Sequence, residues 1–211
     1  MSTRIAVLVS GGGTNLQALI DAQKAGKFAG GYIAAVISTK EGVFALERAA
    51  KAEIPSYVVA RKDFVSNRAL TQAMVAKLQQ LSIDLVVLAG CMVVFTEELV
   101  QAYPNAIMNV HPALIPSFCG VGYYGLHVHE KALEYGVKVS GATVHFVSEE
   151  CDGGPIIAQL PVSVLDSDTP ESLQKRIMEQ AEWKILPEAV AMFCKGLISV
   201  EGRIVKIKQE D

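Results

Sequence analysis

An amide, an imidazole and a carboxylate stand out in this chain: Asn109 and His111 in Asn109-Val110-His111-Pro112, and Asp152 in Asp152-Gly153-Gly154-Pro155. Asn109 and His111 lie two apart on an extended apolar run, 106–111. Residues i and i+2 of a strand point to one face, so both should enter one pocket while Met108 and Val110 face the other side. The run 141–147 likewise sets Thr143 and His145 on one face, and the 149–154 loop can then carry Asp152 toward His111. A carboxylate beside an imidazole stabilises its charged form and raises its pKa. An acid/base histidine with an amide nearby is apparatus for acyl transfer.

Each residue also has a plainer reading: Asn109 as a turn residue, His111 as a hydrogen-bonded core histidine, Asp152 as part of a tight turn. Metal binding by His111, His145 and Asp152 is the rival chemistry. The chain has no metalloprotease spacing on a helix, so no metal is expected. Cys151 carries no mark of an activated nucleophile. His127 and His129 open a helix and read as surface or loop-contact groups.

A second group, Gly11-Gly12-Gly13-Thr14-Asn15, sits between an apolar run and a helical pattern. Glycines there permit unusual backbone angles, and helix N-terminal amides point outward at an anion, so a monophosphate is the natural ligand. No Gly-Lys-Ser/Thr follows, which excludes a P-loop. Leu16 stands where a dinucleotide fingerprint needs its third glycine. The second strand reaches no acid until Glu41, which weakens a ribose-diol reading for NAD. A tight turn with no ligand is the plain alternative.

The elements that must position these groups alternate. Strands are predicted over 4–10, 32–38, 56–60, 84–89 and 106–110, with helices over 15–24, 43–52, 67–81 and 97–102, the last capped by Thr96. Residues 84–89 form a continuous apolar run, as a central parallel strand should. After a Gly- and aromatic-rich loop, 116–125, come a helix over 127–135, strands over 139–147 and 155–164, and a helix that starts at Asp168-Thr169-Pro170-Glu171. That helix should run to about residue 184, with Pro187 kinking it or starting a successor. A terminal hairpin is expected over 197–207. The simplest account is one α/β domain over 1–211 with a core of about 4–195 and a mostly parallel twisted sheet flanked by helices.

The 211 residues are 51% hydrophobic, enough for a sizeable core, with a net charge of −3. That balance gives no electrostatic case for nucleic acid or a polyanionic surface. The N-terminal apolar run is too short for a membrane span and lacks a signal-peptide layout. Four scattered cysteines without a C-x-x-C pair suit reduced thiols in a cytoplasmic protein.

Taken together, Ser10–Ala18 (SGGGTNLQA), Leu88-Ala89-Gly90-Cys91-Met92, Asn109-Val110-His111-Pro112-Ala113-Leu114-Ile115-Pro116 and His145-Phe146-Val147 with Asp152-Gly153-Gly154-Pro155 resemble the folate-dependent formyltransferase family. The Gly-x-Gly-Thr-Asn loop narrows the resemblance to its glycinamide ribonucleotide branch, over about residues 4–195. The resemblance implies a single Rossmann-like domain that carries a formyl group from 10-formyltetrahydrofolate to the glycine amine of 5′-phosphoribosylglycinamide, a purine-biosynthesis step. By the same resemblance Gly13, Thr14 and Asn15 hold the substrate phosphate and Glu182 the ribose. Met92, Val93, Val94 and Phe95 line the folate site, largely through backbone atoms, and Arg68 approaches the folate tail. Asn109 orients the formyl group and stabilises its oxyanion with His111, a proton donor held by Asp152. Partners are the two small molecules, with the chain a monomer or homodimer.

Three departures from the family pattern stand out. Val93 replaces a common arginine, Trp183 a usual histidine, and 117–127 is longer than the commoner Pro-Gly-Leu-His version. The nearest rivals in this superfamily are formyltetrahydrofolate deformylase and methionyl-tRNA formyltransferase. They are expected to carry an N-terminal regulatory or C-terminal tRNA-binding domain that this chain lacks. A non-catalytic nucleotide-binding module would use the 11–15 loop alone and leave Asn109, His111 and Asp152 without a role.

Overall fold

The computed structural model describes residues 2–209. Five strands, β1 (Thr3–Val9), β2 (Gly31–Ser38), β3 (Ser56–Val58), β4 (Leu85–Leu88) and β5 (Ile107–His111), form a parallel sheet in the order β3-β2-β1-β4-β5. Helices α1 (Thr14–Lys24), α2 (Phe44–Lys51), α3 (Asn67–Gln80) and α4 (Glu97–Ala102) make the crossovers. The four residues of β4 are all buried, as a strand covered on both faces requires. Alternation along the strands splits the core in two. Ile5, Val7, Leu85, Val87, Met108 and Val110 pack in one cluster, and Ala6, Leu8, Val86, Leu88 and Ile107 in the other. Asn109 and His111 therefore share the face of Ile107, opposite Met108 and Val110.

After β5 the sheet turns antiparallel. Helix α5 (Leu126–Tyr135) leads into β6 (Val139–Phe146), which pairs antiparallel with β5, and β7 (Ile156–Ser163) pairs antiparallel with β6. The β5–β6 register sets Asn109 opposite His145 and His111 opposite Thr143, so these four side chains share one face. The hairpin β8 (Ile198–Glu201) and β9 (Ile204–Ile207) closes the far edge, attached to β7 through the single pair Ile156 and Ile204. The result is one mostly parallel nine-stranded sheet with helices on both faces.

The final helical stretch differs from the sequence expectation. Helix α6 (Pro170–Ile177) is capped by Thr169, whose hydroxyl accepts from the Ser172 amide at 3.2 Å. It passes through a π-helical turn, Met178–Glu182, into α7 (Trp183–Cys194). Pro187 lies inside α7 rather than at a break. Thr96 stands at the N-cap of α4 but makes no capping hydrogen bond with its side chain.

Candidate active site

In the order 3-2-1-4-5 the direction in which successive strands are added reverses between the parallel strands β1 and β4, and the crevice at their carboxyl ends is where open α/β sheets take ligands. The 11–15 loop leaves β1, the 90–95 segment leaves β4, and Asn109 and His111 end β5. These pieces line one cavity of about 780 Å³, together with His145, Asp152 and Glu182.

The loop after β1 is braced from behind. Gly13 occupies the left-handed region at φ 72°, and a β-carbon there would fall 2.7 Å from the Ala45 Cβ of α2. The Ala45 amide donates to the Gly11 carbonyl at 3.2 Å, and Arg48 Nε donates to the Gly12 carbonyl at 2.8 Å. With those carbonyls tied to α2, the helix start at Thr14 and Asn15 faces the cavity. Asn15 Nδ2 donates to Glu182 Oε2 at 2.7 Å, while its buried Oδ1 has no hydrogen-bond partner among the described residues. Burial pushes the Glu182 carboxyl up to about 7 against the lowering effect of Asn15. A π turn places an extra residue per turn and often marks a functional position; here it delivers Glu182 inward.

The centre is built on β5 and β6. His111 Nε2 lies 2.8 Å from the Phe118 carbonyl, so Nε2 carries the hydrogen, and Nδ1 faces Asp152 Oδ2 at 3.5 Å. His145 Nδ1 donates to the Phe146 carbonyl at 2.9 Å. Its Nε2 accepts from Asn109 Nδ2 at 3.2 Å and lies 3.6 Å from Asp152 Oδ1. The second hydrogen of Asn109 Nδ2 meets Asp152 Oδ1 only at 3.5 Å. The Gly120 amide donates to Asp152 Oδ2 at 2.9 Å.

Asp152 sits at φ 54° in the left-handed region, and a β-carbon on Gly154 would fall 1.8 Å from the Phe146 carbonyl. The tight loop thus depends on glycine at 154 and aims the carboxylate inward. Burial opposes the Asp152 charge, but His145, His111 and the Gly120 amide outweigh it and hold the carboxyl below its ordinary value.

One electrostatic expectation is corrected. Asp152 does favour the charged form of His111, yet burial dominates and the net pKa of His111 is lowered. His129 also departs from its reading as a surface group. It is fully buried on α5 and lines the cavity. Its place three residues before the buried Ala132 puts it on the helix's buried stripe, a signal the periodicity carried.

The remaining predicted residues divide. Met92, Val93, Val94 and Phe95 line the cavity, and the Met92 amide is anchored to Ser10 Oγ at 2.9 Å. Gly13 and Arg68 are not among its lining residues; Arg68 Nε pairs instead with Glu98 Oε1 at 2.6 Å. The long 117–127 segment contributes Val121 and Tyr124, both largely exposed, to the cavity rim. Two groups bearing directly on the centre had no signature in the sequence, the Phe118 carbonyl and the Gly120 amide, because backbone groups carry no residue identity.

A parallel sheet with a phosphate-type loop on β1 and an Asn–His–carboxylate set on β5 and its neighbours defines a class of group-transfer protein. The family model described as formyl transferase matches residues 3–190, and the chain belongs to that family. It is 40% identical over 201 residues to the phosphoribosylglycinamide formyltransferase of Haemophilus influenzae, covering 95% of this chain and 92% of that protein. The structure of glycinamide ribonucleotide transformylase 1 from Symbiobacterium toebii superposes with a TM-score of 0.92 at 42% identity, covering 99% of this chain and 95% of that one. The human trifunctional purine biosynthetic protein adenosine-3 is 40% identical over 209 residues, and there the chain spans only 20% of the longer protein's length. No helix among the described residues is long and apolar enough to cross a membrane.

Proposed function

We infer that this chain transfers the formyl group of 10-formyltetrahydrofolate to the glycine amine of 5′-phosphoribosylglycinamide, giving formylglycinamide ribonucleotide and tetrahydrofolate. The observation that carries the reading is the convergence of Thr14 and Asn15 with Asn109, His111 and Asp152 in one cavity. The amide-rich helix start suits the substrate phosphate. Glu182, behind Asn15, suits the ribose hydroxyls. The apolar 92–95 segment suits a flat pterin, whose edge the backbone of an extended segment can read. One domain carries both halves of the site.

In this reaction the amine nitrogen bonds to the formyl carbon, the bond from that carbon to N10 breaks, and a proton passes from the amine to N10. Negative charge gathers on the formyl oxygen as the amine adds. Asn109 is assigned to that oxygen through the Nδ2 hydrogen held only weakly by Asp152. His111, kept neutral by burial, presents the Nδ1 lone pair beside Asp152. A proton taken up there is stabilised by the carboxylate at 3.5 Å, and can be returned as the leaving nitrogen needs it.

The test mixes the protein with 10-formyltetrahydrofolate, with and without phosphoribosylglycinamide, and follows tetrahydrofolate. Formation that requires the ribonucleotide is the expected result. Equal formation without it identifies a deformylase and overturns the assignment.

A further inference from the structure

Phe118 is a bulky residue held at φ 50°, in the left-handed region that side chains of its kind seldom occupy. Strain of this sort persists only where the surroundings impose it, and it gathers at working sites. Hydrogen-bonded turns flank the residue. The Ser117 amide donates to the Leu114 carbonyl at 3.0 Å, and the Tyr123 amide to the Gly120 carbonyl at 3.1 Å. The Phe118 carbonyl is spent on His111 Nε2 at 2.8 Å, and two residues on the Gly120 amide reaches Asp152. The Phe118 ring points to what holds this turn in place. It packs against the core cluster that contains Met108 and Val110. Edge contacts set it 5.9 Å from the ring of Tyr135, at the end of α5, and 6.3 Å from that of Tyr123. Neither Phe118 nor Tyr135 lines the cavity, and Tyr135 is 80% exposed, so its ring adds little to the core.

We propose that the Phe118 side chain is a positioning residue: anchored on the core and against Tyr135, it holds its own carbonyl on His111 and so fixes the imidazole as the Nε2–H tautomer. This rests on the proton-accepting role given to His111 under the proposed function. A neutral imidazole has one hydrogen, and the acceptors at its two nitrogens compete for it. Asp152 is the stronger acceptor by charge, yet it stands 3.5 Å from Nδ1, whereas the carbonyl stands 2.8 Å from Nε2. The shorter contact wins only while the turn is held. With the carbonyl withdrawn, the hydrogen passes to Nδ1 and onto the carboxylate, and the lone pair that should take a proton beside Asp152 is lost.

The test compares Phe118→Ala, Phe118→Tyr and Tyr135→Ala with the wild type. It reads the nitrogen chemical shifts of the His111 ring by NMR in the free protein, at a pH where the ring is neutral, together with kcat and the KM of each substrate. Wild type should show the hydrogen on Nε2. Phe118→Ala should move much of it to Nδ1 and lower kcat about tenfold, with both KM values near wild type. Phe118→Tyr keeps the ring and should keep the wild-type tautomer and kcat. Tyr135→Ala removes one ring contact at an exposed position, so it decides the matter if Phe118→Ala does not fold. It should give the same tautomer change in smaller measure, with kcat down about threefold. A wild-type tautomer in the folded variants overturns the role, as does a fall in kcat without a tautomer change, the mark of a merely structural ring. The NMR reading needs no substrate. If the tautomer shifts as expected while wild type shows no formyl transfer to phosphoribosylglycinamide, the proposed function fails and the hold on His111 stands.

Discussion

Asp152 holds four polar partners within one carboxylate's reach, His111, His145, the Gly120 amide and Asn109, at a backbone angle that asparagine also tolerates. Asp152→Asn should therefore keep the loop's shape while removing the charge beside His111. Turnover should fall about 10²–10⁴-fold if acid/base work is lost, and a circular-dichroism melt near wild type would show that folding survives. The acid limb of kcat/KM gives an independent reading. Burial sets the His111 pKa below its ordinary value and Asp152 partly restores it, so the limb in wild type should lie below the usual histidine range. Without the carboxylate it should move further down. Glu182 makes the complementary case on stability. Its carboxyl titrates near 7 when folded and near 4.5 when unfolded, so between those values the folded state holds more protons and stability falls as pH rises. Glu182→Gln removes that loss, on the order of 3 kcal/mol above pH 7, while weakening acceptor binding. Tm measured from pH 4 to 8 should show the variant gaining on wild type as pH rises, with no gain at the acid end.

At the scale of elements, much of the machinery was legible because it follows repeating patterns. The continuous apolar run of β4 and the i, i+2 placement of Asn109 and His111 depend only on strand period, and both appear as the sequence implied. The turn at Met178–Glu182 did not, since a π insertion changes one hydrogen-bond partner and leaves the amphipathic pattern nearly intact. His129 was misread because its position at the start of α5 suggested exposure, although its spacing from Ala132 places it on the buried stripe of the helix. The loop after β1 shows how two elements cooperate. Its geometry is enforced by α2, through the Ala45 amide, the Ala45 side chain and Arg48. Gly13→Ala forces a β-carbon into Ala45 at a left-handed angle, a cost of about 1–2 kcal/mol from the backbone alone. The chain must shift α2 or the loop, so acceptor KM should rise while donor KM stays near wild type. Steady-state kinetics varying each substrate in turn will separate the two.

On the scale of the whole molecule, the sheet is divided between a catalytic half and a protective edge. Every group assigned to chemistry or binding lies between β1 and β7 or on the helical run after it, and β8 and β9 contribute nothing to the cavity. The hairpin meets β7 through one register pair, and its packing onto the core comes from Ile198, Val200 and Val205. These three half-buried side chains together contribute about 2–4 kcal/mol. Ending the chain at Gly196 should therefore lower the Tm, by about 2–4 °C for each kcal/mol in a chain of this size. Turnover per folded molecule should not change, because the cavity keeps all its lining residues. The second consequence is colloidal. Without the hairpin, the apolar surface covered by Ile198, Val200 and Val205 is laid open beside a β7 edge that only Ile156 had paired, and exposed apolar surface promotes association. Light scattering during a slow melt should show the shortened protein aggregating earlier than its lower Tm alone requires. Loss of kcat at a temperature where it remains folded would instead place the hairpin in the working part of the molecule.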